Sequence, residues 1–399
     1  MLVLTTWSYR DGLIQAATLP YLRILSGITG GDIYLVCWEQ DKLKMTDEEF
    51  DDERRKLSAS RIHLLRIPYR KNKLLAILTW LLEMVRLVAL IYRKKVSYLH
   101  AFCMPAGSVA YFIRMFKKMT LIIDSMEPHA DMMMETGVWA PDAMVYKISA
   151  RLEKKVAHAA DYLIAVSKKI RPYLQERYAL DPPPGKLRYR PLCIEPGLFK
   201  RAVPDYSLIG WAGRQAGTIA IYTGKFGGMY YDVEFCRVIL ACIRFWKNDF
   251  HLIVCTSMDR SEVASFLVEN GIAEQFFTIT FVNHAAIPAY LSLADFGISA
   301  SRPSKARQYG CPTKNAEYWS VGLPVLTTDA ILDDRDDIDR NPFLGAVLPG
   351  SGQADLTGTL RQLDALITDN AGSQKAIRGF ALANRSFEIA KKVYEDIYG

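Results

Sequence analysis

The sequence predicts an α/β fold made of two Rossmann-like lobes, each a mostly parallel sheet covered by helices. The main observation is that apolar, strand-like runs alternate with helical segments in both halves of the chain, as in right-handed β-α-β crossovers. A second observation is the proline-rich stretch at 181–185, which with the segment up to 204 separates two such series. Such sheets bind ligands outside the carboxyl ends of their strands, so a crevice between the lobes is the expected site.

In the first half, each predicted strand is a short apolar run that ends at turn residues or charges. These runs are Met1–Thr6, Asp32–Trp38, Arg61–Pro68, Val96–Phe102, Thr120–Asp124 and Asp161–Val166. Helices are expected between them. Pro141 is predicted to begin a long helix that reaches Ala159, because proline is favoured in a first helical turn, and Ser167 can cap the helix after the last of these strands.

The second half repeats the pattern. Its predicted strands are Thr218–Tyr222, His251–Cys255, Phe277–Phe281, Phe296–Ser299 and Pro324–Thr327. Its predicted helices are Val233–Phe245, Glu262–Gly271, Ile287–Ala294 and Thr313–Val321. The length of 399 residues accommodates two or three domains with large cores.

Composition narrows the class of protein. Half of the residues are apolar and 23% are charged, which argues against a disordered chain. The seven cysteines are odd in number and form no C-x-x-C pair, so neither a zinc site nor a disulfide framework is expected. The amino terminus lacks the features of a signal peptide. We therefore expect a cytoplasmic protein.

The charge is uneven along the chain. Residues 1–195 carry 30 Lys and Arg against 21 Asp and Glu, whereas residues 196–399 carry 20 against 22. A basic first half indicates an anionic partner. No zinc-finger spacing or RNA-binding signature occurs, so we do not expect nucleic acid as the partner. We expect the anionic partner to be the surface of a membrane, at its inner face.

One segment of the basic half bears on that expectation. Residues 74–92 are almost wholly apolar and are bracketed by basic residues on both sides. Glu83 and Arg86 lie in the middle, and each would cost about 2.5–3.5 kcal/mol at a bilayer centre. The segment is therefore predicted to be a buried or interfacial helix rather than a membrane span. Basic flanks suit anionic headgroups, but a plain core helix fits equally well.

The most informative stretch of the second half is 311–325, which reads Cys-Pro-Thr-Lys-Asn-Ala-Glu-Tyr-Trp-Ser-Val-Gly-Leu-Pro-Val. Pro312, Thr313 and Lys314 place a helix amino terminus beside a cation, which favours a phosphate. Glu317 follows one turn later and can accept hydrogen bonds from the vicinal hydroxyls of a ribose. A capped surface helix with a Lys and a Glu one turn apart is the alternative. No P-loop and no dinucleotide fingerprint occurs.

From this stretch onward, the chain resembles the retaining GT-B glycosyltransferases of family 4. Their carboxyl-terminal lobe often carries S-P-T-K-x-x-E-Y-x-x-x-G-x-P-V, which this chain matches with Cys in place of Ser. Three further runs are similar to family segments: 221–225 to the first strand and loop of that lobe, 287–295 to its "ip-x-yl-x-x-aD" helix, and 160–167 to "aDyvi-x-vS" of the first lobe. Residues 385–388 resemble the start of the last helix, which in this fold returns to the first lobe.

The resemblance implies lobes at 1–195, on the acceptor side, and 196–375, on the donor side, with a returning helix at 376–399. It also implies a nucleotide-sugar donor, UDP- or GDP-linked, as substrate, and no cofactor. Glu317 would hold the ribose and the other donor-site residues would hold the diphosphate or the base. Those residues are Gly224, Lys225, Val282, Asn283, Thr313 and Lys314.

The chain departs from the family pattern at two places. Many relatives have a second glutamate at the position of Tyr309. Many also have a Lys-Gly pair where this chain reads Phe-Gly-Gly-Met-Tyr-Tyr at 226–231. One carboxylate and one cation of the common pattern are thus missing. This leaves open a non-catalytic homologue that binds nucleotide or membrane.

The first half has its own candidate site at 124–131, directly after a predicted strand. Four titratable groups at the carboxyl end of a strand suit an acceptor site. Related enzymes often place a histidine of this lobe near the donor sugar, so His129 is the first catalytic candidate, followed by Glu127 and Asp124. The alternative is a loop whose polar groups cap the next helix. His100 and His158 are interpreted as structural.

The expected reaction is sugar transfer to a glycan or lipid-linked acceptor with retention of the anomeric configuration. Lys225, Lys314 and the helix amino terminus would stabilise the leaving diphosphate, so no metal is required. A nucleotide-sugar epimerase or hydrolase of the same fold is the rival enzyme.

Overall fold

The computed structural model describes residues 1–68, 73–350 and 355–399, and the chain forms two compact units. The first unit contains Met1–Pro191 and Glu388–Gly399, and the second contains Leu192–Phe387. Each unit is a parallel sheet with helices packed against it, so the predicted α/β class with two Rossmann-like lobes is confirmed.

The strands follow the alternation expected from the sequence. Those of the first unit are β1 (Leu2–Leu4), β2 (Ile33–Glu39), β3 (Ile62–Pro68), β4 (Tyr98–Phe102), β5 (Thr120–Met126), β6 (Tyr162–Ala165) and β7 (Leu187–Tyr189). Those of the second are β8 (Thr218–Thr223), β9 (Phe250–Cys255), β10 (Phe277–Thr280), β11 (Phe296–Ser299), β12 (Val325–Thr328) and β13 (Gly345–Leu348).

The helices connect these strands. The first unit has α1 (Leu19–Thr29), α2 (Asp47–Ser58), α3 (Lys73–Arg93), α4 (Cys103–Arg114), α5 (His129–Glu135), α6 (Met144–Ala159) and α7 (Ile170–Tyr178). The second has α8 (Val233–Phe245), α9 (Arg260–Glu269), α10 (Ile287–Leu291), α11 (Thr313–Ser320), α12 (Leu332–Arg340), α13 (Thr357–Thr368) and α14 (Asn370–Asn384). The last helix, α15 (Phe387–Tyr398), lies in the first unit apart from its first residue.

Both sheets have doubly wound topology. The strand order is β3-β2-β1-β4-β5-β6-β7 in the first and β10-β9-β8-β11-β12-β13 in the second, with parallel pairing throughout. The order reverses beside β1 in one unit and beside β8 in the other, and such switch points are where doubly wound sheets bind ligands. The central strands are buried on both faces, which explains why they read as continuous apolar runs.

Several elements differ from the sequence-based expectations. The helix predicted to begin at Pro141 begins at Met144, because Pro141 and Asp142 form a turn. Residues 129–135, for which a capping loop was the alternative, form the short helix α5. Strands β7 and β13, and helices α12 and α13, were not predicted. All four are short or lie in polar segments with little periodicity.

The unit boundaries also lie elsewhere. The first unit ends at Pro191, close to the predicted 195, but the chain returns to it only from Glu388 instead of from 376. The reason is α14, which packs against α11 inside the second unit. Phe380 of α14 meets the Trp319 ring edge-to-face with centroids 5.6 Å apart.

Helix α3 takes up the whole apolar segment at 74–92. Its described side chains are divided between two faces, because Met84, Leu87 and Ile91 are buried, whereas Leu82 and Val85 are exposed. Within residues 1–68, 73–350 and 355–399, no helix combines the length and apolar character that crossing a bilayer requires.

Candidate functional site

The site in the second unit is built around the amino end of α11. Pro312 stands at the cap position with extended backbone, and no side chain caps the first turn. The amide groups of a first helical turn have no partner within the helix. This helix end therefore keeps both its free amides and its positive dipole end for a ligand.

Lys314, in the first turn of α11, is buried without a conventional partner. Its Nζ has no hydrogen-bond partner among the described residues. It lies 4.6 Å from the centroid of the Tyr222 ring and 4.3 Å from that of Tyr230. Burial, together with the positive charge of Arg307, lowers the pKa of Lys314 to about 7, against the raising effect of Glu317. An ammonium held in this way is arranged for an anion that the protein itself does not supply.

Gly224, directly after β8, makes room for that ammonium. Its φ is +148°, and a Cβ at this position would lie 2.9 Å from Lys314 Nζ. A side chain here would press on the ammonium, and the positive φ itself favours glycine. Gly224 and Lys314, both predicted as donor-site residues, thus lie next to each other, and their role in binding stays a prediction.

Arg307 is a residue that the sequence analysis missed. Its side chain is buried, Nη2 donates to Ser301 Oγ at 3.2 Å, and Nε has no hydrogen-bond partner within the described parts of the chain. Its guanidinium lies 5.9 Å from the centroid of the Tyr230 ring, the ring that also faces Lys314. The sequence suggested that one cation of the family pattern was absent, and Arg307 brings a second cation beside Lys314. The sequence could have indicated Arg307 only as a basic residue that follows the end of β11.

Glu317 lies one turn into α11 and is largely buried. Its Oε1 is 3.1 Å from Nε2 of His284, whose ring packs at 5.4 Å from Phe199. The hydrogen bond to Glu317 raises the pKa of His284 against the opposing effect of burial. His284 follows the predicted pair Val282 and Asn283 by one residue, and nothing in its spacing indicated that it would reach the carboxylate.

The remaining predicted donor-site residues lie at the same strand ends. Val282 is partly buried against the core, and Asn283 is exposed at the start of a single helical turn. Thr313 begins α11 and is partly buried. The Lys225 side chain is exposed, and its carbonyl accepts a hydrogen bond from the Tyr222 hydroxyl. All seven residues thus belong to the ends of β8 and β10 and the start of α11.

Metal binding is not indicated by the side chains that the structure describes. No group of three or more His, Cys, Asp or Glu residues in those ranges could share an ion. Asp334 and Asp336 have the D-x-D spacing found at some metal sites. Asp334, however, is buried and accepts hydrogen bonds from Arg385 at 2.7 Å and from Asn315 at 2.7 Å.

In the first unit, the Asp124 carboxylate is enclosed by hydrogen-bond partners from the protein. It is fully buried, and Oδ1 accepts from the Arg190 guanidinium. Oδ2 accepts from Tyr394 of α15 at 2.6 Å and lies 3.1 Å from His100 Nε2. Burial alone would raise the pKa of Asp124, but Arg190 and these hydrogen bonds hold it well below its usual range. This geometry supports a structural role for Asp124 and leaves it no proton to exchange.

His129 and Glu127 are more accessible. Both are partly buried, and His129 meets Trp139 edge-to-face at 5.8 Å, while burial lowers the pKa of His129. The following amide, that of Ala130, donates to the buried Glu153 at 2.8 Å, which fixes the start of α5. A neutral imidazole on a fixed backbone can accept a proton from a substrate hydroxyl.

Strained backbone marks this strand end. Ser125 on β5 has φ +53°, and Cys103, directly after β4, has φ +66°. Left-handed conformations of residues other than glycine cost about 1–3 kcal/mol each and gather at ligand sites. The carboxyl ends of β4 and β5 are therefore the candidate site of the first unit.

The fold of the whole chain matches solved structures of GT-B glycosyltransferases. A sucrose-phosphate synthase from Thermosynechococcus elongatus aligns over 100% of this chain and 97% of its own, with a TM-score of 0.74 and 15% identity. HepE from Anabaena, solved with UDP-glucose, aligns over 99% and 98%, with a TM-score of 0.71 and 13% identity. WaaG, a glycosyltransferase involved in lipopolysaccharide biosynthesis, aligns over 100% of this chain and 99% of its own, with a TM-score of 0.65 and 15% identity.

These matches confirm the GT-B fold predicted from the sequence. No family model matches the chain, and the search of curated proteins gave no match.

Proposed function

We propose that this protein transfers a sugar from a nucleotide-sugar donor to a glycan or lipid-linked acceptor, with retention of the anomeric configuration and without a metal ion. The observation that carries the proposal is Lys314, a buried ammonium without a hydrogen-bond partner in the described ranges, at the uncapped amino end of α11. A nucleoside diphosphate supplies the negative charge that this position lacks.

The donor is assigned by the chemistry around that ammonium. Arg307 and Lys314 bind the diphosphate together with the first amides of α11, and Gly224 allows the close approach. Glu317 accepts hydrogen bonds from the ribose hydroxyls. HepE, which shares the fold, was solved with UDP and with UDP-glucose, and this supports a uridine donor over a guanosine donor.

In the transfer step, the anomeric carbon exchanges its bond to the diphosphate for a bond to the acceptor hydroxyl oxygen. The nucleoside diphosphate leaves with the electron pair, and the hydroxyl proton is released. Negative charge grows on the leaving oxygen, where Lys314, Arg307 and the helix dipole are already oriented. Because these groups supply the positive charge, the reaction needs no metal.

The acceptor is assigned to the first unit, at the carboxyl ends of β4 and β5. His129, kept neutral by burial, and Glu127 contact the acceptor hydroxyl. The basic charge of residues 1–195 favours an anionic, lipid-linked acceptor and a place at the cytoplasmic face of a membrane.

The donor assignment is tested by calorimetry with UDP, GDP and 2′-deoxy-UDP on the wild type and on Glu317→Gln. If Glu317 binds the ribose, the variant loses about tenfold in UDP affinity and little in 2′-deoxy-UDP affinity. Equal losses for both nucleotides would reject the ribose role. Absence of binding by any nucleotide would reject the proposed function.

Turnover separates the remaining alternatives. Incubation with UDP-sugars, with and without glycan and lipid-linked acceptors, should release UDP only when an acceptor is present. Release without an acceptor indicates a hydrolase, and an isomeric nucleotide sugar indicates an epimerase. Binding without any release indicates a non-catalytic homologue.

A further inference from the structure

Helix α3 of the first unit exposes apolar side chains along one whole face. Met84, Leu87 and Ile91 point into the unit, at the spacing of one helical face. The outward residues at 75, 78, 82 and 85 follow one another every three or four positions, the residue at 92 lies two turns further along, and all five are apolar. They are Leu75, Leu78, Leu82, Val85 and Tyr92, each exposed to more than half of its surface. We call these five residues the α3 face.

The exposed apolar surface continues onto the end of α4. Met115 and Phe116 are 73% and 60% exposed. The Tyr92 hydroxyl donates to the Phe116 carbonyl at 2.6 Å, which ties this corner to the α3 face. Monomeric proteins rarely expose contiguous apolar patches of more than a few hundred Å², and such patches are usually interaction sites.

Cations border the α3 face. Arg86 projects from it with a 75% exposed side chain, and Arg93, Lys94 and Lys95 are exposed at its end. None of the ion pairs found within the described residues involves Arg93, Lys94 or Lys95. Glu83, the acid of α3 itself, is mostly buried and paired with Arg86 at 2.6 Å, and Asp32 of the first unit interacts electrostatically with Lys94.

A groove beside α3 is lined by further arginines, of which Arg54 is paired with Asp51 and Arg66 with Asp47. It is a cavity of 520 Å³ between α3, the edge strand β3 and α2. Arg54, Arg66, Arg86 and Arg93 line it together with apolar side chains, and Glu83 is its one acidic lining residue. Guanidinium groups over an apolar floor suit a phosphate attached to a hydrocarbon.

We propose that the α3 face docks on a bilayer surface rich in anionic phospholipids, with α3 lying in the plane of the interface. The apolar side chains enter the boundary between headgroups and acyl chains, and the cations contact the headgroup phosphates. A second copy of this chain fits less well, because two such faces would bring their cations together. The docking rests on the membrane placement proposed above but does not depend on sugar transfer, so vesicle binding and turnover can each fail without the other.

The test is sedimentation of the full chain with vesicles of phosphatidylcholine, alone or mixed with phosphatidylglycerol. We expect binding to the mixed vesicles only, weakened by added salt. The double variant Leu82→Ser, Val85→Ser should bind at least tenfold more weakly. Replacing Arg93, Lys94 and Lys95 by Gln should also weaken binding, by about fivefold for each charge.

The matched control is Val203→Ser, which removes a 90% exposed apolar side chain from the second unit and should leave vesicle binding unchanged. Because all the substituted side chains are exposed, thermal melting should be unchanged, and this confirms folding. The proposal is overturned if the wild type binds neither vesicle, or binds both equally. It is also overturned if light scattering shows that the wild type is a dimer and the Leu82→Ser, Val85→Ser variant is a monomer, because the α3 face then contacts a second copy of the chain.

Discussion

Each unit buries at least one cation, and two of these cations, Arg190 and Lys314, are held in opposite ways. Arg190 in the first unit is fully buried and donates to Asp124, to Ser125 Oγ at 2.9 Å and to the Pro191 carbonyl at 3.2 Å. It also stacks 3.9 Å from the centroid of the Tyr21 ring. Lys314 in the second unit is buried to a similar degree, but its Nζ has no hydrogen bond among the described residues and lies over the faces of two tyrosine rings.

This difference distinguishes a buried cation that stabilises the fold from one that is arranged to bind a ligand. Burying a cation costs several kcal/mol unless an anion or hydrogen-bond acceptors offset the loss of water. The carboxylate of Asp124 offsets that loss for Arg190. For Lys314, nothing in the described chain fully offsets the free-energy cost of burying the cation. This cost remains until an anionic ligand binds.

The largest expected effect tests the structural half of the comparison. Arg190→Met leaves Asp124 as a buried carboxylate without its main partner, and we expect a loss of about 3–5 kcal/mol in the free energy of unfolding. Denaturant titration measures it. Arg188→Met is the control, because Arg188 pairs with Asp396 near the surface and should cost about 1 kcal/mol or less. Equal losses would show that Arg190 is an ordinary ion pair.

The binding half predicts the opposite behaviour for Lys314. Lys314→Met should reduce UDP affinity by about a hundredfold, because a charge-assisted contact to the diphosphate is lost in a buried setting. The melting temperature without ligand should stay the same or rise, because a cation lacking an offsetting anion is removed. A large fall in melting temperature would mean that Lys314 is a second structural charge.

The pH dependence sharpens the same point. The pKa of Lys314 is about 7 in the ligand-free chain, and a bound diphosphate raises it, so binding above pH 7 takes up a proton. UDP affinity should therefore fall by about tenfold per pH unit between pH 7 and 9. Calorimetry in buffers of different ionisation enthalpy measures the proton uptake, and Lys314→Met should abolish it.

A smaller effect is expected for Arg307, which keeps one hydrogen bond to Ser301 within the protein. Arg307→Gln should weaken UDP binding by about tenfold, with little change for uridine, because the contact is to the diphosphate. Arg307→Lys should recover part of the affinity. An equal loss for UDP and uridine would place Arg307 outside the diphosphate site.

The smallest effect concerns His284, a positioning residue that contacts Glu317. His284→Ala should weaken UDP binding about threefold by leaving the carboxylate less well oriented, whereas His284→Gln can still donate to it. With 2′-deoxy-UDP the two variants should match the wild type. The hydrogen bond raises the pKa of His284, so its contribution to stability is present below about pH 6.5 and is lost as the pH rises through the raised pKa.

Sequence reasoning reached one of the two cation sites. The run from Pro312 to Glu317 is local, and helix geometry alone places Lys314 and Glu317 one turn apart at a helix start. Arg307 and His284 come from other loops, and only folding brings them to the same place. Asp124 was a second-line catalytic candidate because it follows a strand, and the sequence did not indicate that Arg190 and Tyr394, 66 and 270 residues away, bind its carboxylate.

What the sequence by itself determined is the alternation of most strands and helices, the two-unit α/β fold and the helix start at position 313. These follow from apolar periodicity and from residues next to one another, which act within a few positions. Only the tertiary structure decided which face of α3 is exposed, and which buried charges have partners. Both depend on contacts between distant segments, and a buried charge is stabilised or left without a partner only once those segments have met.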